Sequence, residues 1–162
     1  MKRILILLIV LAAGAFSAAA QEFEGLTMES YEFIKVHPNG LRGVTGSIRF
    51  VMNNIGDRRE VSHLKVTIYK DGKAFLQGNC EDVTFERGRA EYIVGGKIRL
   101  ARSVNVFDAI AALLNFDPAL YTINLSARMV REDGTVETVI REDLPVTHFM
   151  PTKEQNAAAS AK

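Results

Sequence analysis

A single cysteine, Cys80, stands in a chain of 162 residues, so no intramolecular disulfide can form and the domain has to be held by its apolar core. Charge of one sign is equally scarce. Twenty Lys and Arg face 19 Asp and Glu, two of the cations are Lys2 and Arg3, and the signs alternate along the chain instead of gathering into a stripe. That balance excludes a basic field able to hold phosphate backbones, and nucleic acid is not an expected partner. Long hydrophobic runs are missing too: the sustained one, Ile4 to Ala13, is too short to span a bilayer comfortably. Catalytic signatures are also lacking, with no G-x-S-x-G elbow, P-loop or H-E-x-x-H anywhere in the chain.

What is there begins with MKRILILLIVLAAGAFSAAA. Lys2 and Arg3 form a charged start, Ile4 to Ala13 an apolar run, and Ala18 and Ala20 a small-residue cleavage site, which together read as a secretory signal peptide over residues 1–20. The chain turns polar at Gln21, Glu22 and Glu24 with no stop-transfer pattern. Gln21 also stands where a bacterial lipoprotein would need a Cys, so the expected product is exported and soluble, periplasmic or extracellular, and is not a transmembrane protein after signal removal. Residues 21–150 are expected to form one domain and residues 151–162, with Ala157 to Ala161 too small to dock, a disordered tail.

Within the domain, short period-two segments alternate with Gly and Asp-Gly punctuation, as an antiparallel β-sheet requires. Val44, Gly46, Ile48, Phe50 and Met52 share one side of a strand that ends in the turn residues Asn53 to Gly56. Leu64, Val66 and Ile68 alternate with polar neighbours before Asp71-Gly72, a type I′ hairpin signal, with residues 74–77 returning as the partner strand. Glu81 to Phe85 and Arg89 to Val94 read as two segments around Arg87-Gly88, and Gly95-Gly96 separates them from a further run to Leu100. Tyr121, Ile123, Leu125, Ala127 and Met129 give the strongest late alternation, followed by Glu132-Asp133-Gly134 and Val136 to Ile140.

One segment departs from the β pattern. Val106, Phe107, Ile110, Leu113 and Leu114 recur at helical spacing, Asn105 is a fitting N-cap, Asp108 favours the positive end, and Asp117-Pro118 is the expected stop. No Lys or Arg lies between Asn105 and Pro118, so the helix is expected to plug an open end of the sheet and not to hold an anionic surface. The expected fold is therefore all-β, an antiparallel β-sandwich of about 7–8 strands with one short helix at about 105–115 inserted before the last strand pair.

Residues with chemical potential lack company in the sequence. His37, His63 and His148 are widely separated, and none shares a local element with a second ligand at metal spacing. Cys80 has no His nearby and is read as a small, inert residue at a strand end. Glu81-Asp82, Glu132-Asp133 and Glu142-Asp143 fall at turns or strand ends without the spacing of a calcium loop, and Asn124-Leu125-Ser126 is a chance match to the glycosylation sequon within a strand. No catalytic, cofactor-binding or metal residue is assigned, and no cofactor is expected. A hydrolase would need a buried His–carboxylate–nucleophile cluster assembled by the fold.

The order of pieces resembles a known family. Tyr31-Glu32-Phe33-Ile34-Lys35-Val36, a long alternating strand ending in Asn53-Asn54, and Leu64 to Lys73 are similar to the LEA type 2 (WHy-domain) pattern, and Asp117-Pro118-Ala119-Leu120-Tyr121 is similar to its bacterial relatives. Asn54 is followed by Ile55 where that pattern has Pro. The resemblance covers residues 27–149 and implies an immunoglobulin-like sandwich with no active site, associated with stress protection or macromolecular binding. The expected function is an exported, non-enzymatic binding or structural module contacting a protein or cell-envelope partner. The alternative is a small apolar-ligand carrier with a pocket between the helix and the sheet.

Overall fold

The alternating segments build eight strands: β1 (Leu26–Pro38), β2 (Gly43–Asn54), β3 (Arg59–Lys70), β4 (Lys73–Cys80), β5 (Val83–Phe85), β6 (Gly88–Leu100), β7 (Tyr121–Arg131) and β8 (Val136–Pro145). The computed structural model describes residues 23–149; the expected signal peptide and tail lie outside the described residues. Every pairing is antiparallel, in the order β1-β2-β6-β4-β3-β7-β8, with β5 on β3. β4 pairs with β6 through residues 76–80 and with β3 through residues 73–79, so it joins the two layers of an open all-β sandwich.

Side-chain alternation decides which face closes. Ile48, Phe50 and Met52 of β2 enter one core with Val66 and Ile68 of β3 and with Tyr121, Ile123, Leu125, Ala127 and Met129 of β7. Each large apolar side chain taken out of water contributes about 1.5–3 kcal/mol, and a one-residue slip of either strand would forfeit its whole set. The layers meet through rings: Phe85 of β5 lies 6.2 Å from Phe50 of β2 and 5.0 Å from Tyr92 of β6.

The turns follow their residue chemistry. Asp71 and Gly72 take φ of 50° and 73°, the positive values of a type I′ hairpin between β3 and β4. After β2, buried Asn54 closes the next turn by donating from Nδ2 to the Asp57 carbonyl at 2.9 Å and accepting at Oδ1 from the Gly56 N–H at 3.0 Å. Beside it, buried Arg59 donates from Nη1 to the Glu24 carbonyl at 2.6 Å, fastening the start of the domain to β3.

Three expectations are corrected. Gly95-Gly96 does not separate two strands; β6 runs unbroken from Gly88 to Leu100. The glycines serve close approach, because a Cβ on Gly95 would stand 2.7 Å from the Glu81 carboxylate, which accepts from the Gly95 N–H at 3.0 Å. The matching bond from the Glu81 N–H to the Gly95 carbonyl places Glu81 in this clasp, and β5 starts only at Val83.

The second correction is that start of β5, expected at Glu81. The helix falls within its expected bounds as α1 (Val106–Leu114), ending ahead of Asp117-Pro118, where Asn115 caps it with both its backbone N–H and its Nδ2 on the Ala111 carbonyl. Asp117 instead opens a separate 3-10 turn, Pro118–Leu120, by accepting from the Ala119 N–H at 3.0 Å. The third concerns which α1 residues face the core. Ala109 and Leu113 are buried, whereas Phe107 and Leu114, expected on the packed face, are exposed.

Candidate interaction surface

One end of the sandwich gathers the β1–β2 loop, the β3–β4 hairpin and the long connection from β6 to β7, as the pairings Pro38–Val44, Gly43–Arg99, Lys70–Lys73 and Lys70–Tyr121 require. Arg42 ties the loop to the connection, donating from Nη2 to the Ala101 carbonyl at 2.8 Å and from Nη1 to the Val104 carbonyl at 3.2 Å. The Ala101 N–H bonds the Phe75 carbonyl at 2.9 Å, and the Asp71 N–H bonds the Leu120 carbonyl at 3.0 Å. α1 is thus held at both ends by backbone bonds from other elements, and its own first turn is capped by Asn105 Oδ1, 2.8 Å from the Phe107 N–H.

Helical geometry then divides α1 into two apolar faces. Ala109 and Leu113, 2% and 5% exposed, join the common core, with Val106 and Ala112 packed against it. The opposite face carries Phe107 at 80% exposure, Ala111, and Leu114 at 61%, with partly buried Ile110 between them. Positions 107, 110, 111 and 114 form one i, i+3, i+4, i+7 stripe. Leu41 and Leu120 are also exposed at this end. A core-plugging helix needs only its inner face; the outer stripe is apolar surface that the fold itself does not use.

Below the helix, Tyr121 sits between the rings of Phe75 and Phe116, whose centroids lie 5.6 and 4.8 Å away. Its hydroxyl is buried and has no hydrogen-bond partner among the described residues. Burial, and then the charges of Asp71 and Asp117, push its pKa up to about 12.

The residues with chemical potential are spread over the molecule. His37 is exposed near the end of β1, and His148 falls in the 3-10 turn Val146–Phe149. His63 sits in a bulge of β3 with φ of 53°, its backbone N–H bonded to Asp82 Oδ1 at 3.2 Å and its Nδ1 3.2 Å from Ser62 Oγ. Ser62 is buried and directs its hydroxyl at the Arg128 carbonyl, 3.5 Å away, which makes the pair part of the bulge's own bonding. Among the described residues, no group of three His, Cys, Asp or Glu side chains could hold a metal ion.

Cys80 ends β4, as expected, and burial followed by the Glu81 charge pushes its thiol up to about 12. The acidic pairs are explained by turns. Asp133 accepts from the Thr135 N–H at 2.8 Å, and Thr135, side chain first, holds its carboxyl below the usual range. Asn124 of the sequon accepts from the Asp143 N–H at 2.9 Å and so braces the bulge in β8, where Asp143 has φ of 55°. Among the described residues no helix is long and apolar enough to cross a membrane.

No family model matches this chain, and no curated protein matches it. Solved structures do. A protein from Archaeoglobus fulgidus aligns at 12% identity and a TM-score of 0.42 over 72% of this chain and 94% of its own. A structural-genomics target aligns at 15% identity and a TM-score of 0.36 over 80% and 93%. A Bacteroides uniformis β-glucuronidase aligns at 14% identity and a TM-score of 0.30, over 73% of this chain but 12% of the enzyme.

Proposed function

We propose that this protein is an exported, non-enzymatic binding module of the cell envelope, and that it docks a protein partner through the outer stripe of α1. The observation that carries the reading is the exposure of Phe107 and Leu114 on a helix whose other face already packs the core. This stripe suits helix-in-groove recognition, where anchors at i, i+3, i+4 and i+7 enter an apolar cleft. Its charge selects the occupant. Asp108 and Asp117 are exposed beside the stripe, and no Lys or Arg lies between Asn105 and Pro118. A helix that lies on an anionic lipid surface carries Lys or Arg beside its apolar face, and α1 has none; a protein groove rimmed by Lys or Arg complements its two carboxylates. The export signal and the resemblance to the LEA type 2 family support the envelope setting.

The test is a photo-crosslinker placed at position 107 in the intact protein, with an equivalent probe at exposed Val136 as control. The reading expects one protein adduct from position 107, lost on Leu114→Ser, with the crosslink mapping to an apolar groove bearing basic residues. Adducts equal at both positions, or unaffected by Leu114→Ser, overturn it.

A further inference from the structure

The outer face of the sheet offers a surface distinct from α1. Strand register sets Thr45, Lys97, Asn79, Lys65 and Ser126 in one row across β2, β6, β4, β3 and β7. A second row beside it holds Gly43, Arg99, Gln77, Thr67 and Asn124. Neither row contains a carboxylate. Lys65, Lys97 and Arg99 are exposed, and none makes an ion pair among the described residues. The same face toward the opposite end is treated differently: Arg49 lies 3.2 Å from Glu32 and 3.3 Å from Glu91, and Arg89 lies 2.7 Å from Glu29. The Glu81 carboxylate, bonded over Gly95, marks the boundary between the two halves.

Spacing gives this half its character. Lys97 and Lys65 flank β4, the strand that joins the two layers, one inter-strand step of about 4.8 Å to either side of Asn79, and Arg99 follows Lys97 by about 7 Å along β6. Side-chain amides at Asn79 and Gln77 lie between the cations on β4, able to donate to and accept from neutral hydroxyls. Tyr69, half-buried on the same face of β3, adds a ring beside Thr67. We infer that this surface binds an acidic polysaccharide, a carboxylate-bearing glycan running from β6 over the corner strand β4 to β3. Charged groups engage the cations, and intervening sugar hydroxyls engage the amides. Three cations fall short of the roughly 6–10 phosphate contacts that salt-sensitive nucleic-acid binders use.

Polygalacturonate is a suitable probe, measured by affinity electrophoresis and titration calorimetry with the intact protein, against neutral dextran, duplex DNA and anionic phospholipid vesicles. Polygalacturonate should bind and weaken as salt rises, and dextran should not bind. Lys65→Gln combined with Lys97→Gln, and separately Arg99→Gln, should each weaken binding by about tenfold or more, as loss of charge-assisted bonds predicts. These positions are exposed, and unchanged unfolding midpoints will show that the variants fold. Phe107→Ser should leave glycan binding intact, which separates this proposal from the docking of a protein on α1. Absence of polygalacturonate binding, retention of it in the variants, or equal binding of DNA or vesicles overturns the inference.

Discussion

Leu113 and Leu114 are the same residue type at adjacent positions of one helix, so truncating each to alanine isolates the direction in which α1 faces. Leu113 is 5% exposed within the core cluster and Leu114 is 61% exposed on the outer stripe. Propensity changes are the same for both. Leu113→Ala removes buried methyl groups and leaves a cavity, for an expected loss of about 2–5 kcal/mol. Leu114→Ala removes atoms already in contact with water and should lie within about 0.5 kcal/mol of the parent. Urea unfolding followed by circular dichroism separates them, since with a slope near 1–3 kcal/mol/M a loss of 3 kcal/mol moves the midpoint by about 1 M or more. Equal losses, or a larger loss at Leu114, would refute the inward assignment of Ala109 and Leu113 and, with it, the availability of the outer stripe for a partner.

Other outcomes follow from single residues. Tyr121→Phe removes a buried hydroxyl that lacks a partner among the described residues, so unfolding should show no loss, or a gain, and a loss above about 1 kcal/mol would contradict that environment. Asn54→Leu strands the Asp57 carbonyl and the Gly56 N–H together and should cost about 1–3 kcal/mol, whereas a neutral result would mean water replaces the side chain. Cys80, with its pKa near 12, should react with iodoacetamide at pH 8 far more slowly in the folded than in the urea-unfolded protein; equal rates would contradict its environment. For Cys80 and Tyr121 the folded pKa is raised, so the folded state keeps protons that the unfolded state releases. Stability should therefore be full below the unfolded values of 9.0 and 10.0 and decline as pH climbs to about 12, and the double variant Cys80→Ala/Tyr121→Phe should flatten that decline in alkaline unfolding curves.

Much of the sandwich was legible because two long strands alternate without interruption. Val44 to Met52 and Tyr121 to Met129 each place their apolar residues on the core face, and Asp71-Gly72 makes its hairpin where the dipeptide predicts it. β1 was harder to read for a physical reason. Bulges at Glu29 and Ile34 shift its phase twice, so that Met28, Tyr31, Phe33 and Val36 share a face that strict alternation would split. The sequence does not orient α1 because Asp108 is its sole polar residue, and a helix apolar all round has no periodicity to set its inner face. Gly95-Gly96 looked like punctuation because glycine signals a turn and a close approach with the same letter; the Glu81 carboxylate that needs the space lies on another segment. The candidate surface was half visible, in the helix itself and its lack of cations.

The edges of the sheet are built against the addition of a further strand. An uncovered strand invites pairing by any extended chain, and β1 and β8 are the two ends of this sheet's strand order. Both are spoiled for that purpose. β1 is kinked by its two bulges, and β8 is interrupted by the Glu142–Asp143 bulge that Asn124 braces. β8 also places Glu137 and Arg141 opposite Met129 and Leu125, on the side where an edge strand would otherwise present apolar residues. Inward charges and bulges are the usual means of discouraging edge-to-edge association. With the edges blunted and the inner faces closed on the core, both proposed surfaces, the outer stripe of α1 and the cations around Asn79, lie on the outside of the fold and away from strand pairing. A partner that added a strand to β1 would have to straighten both bulges first, which makes face docking the less costly mode for this sandwich.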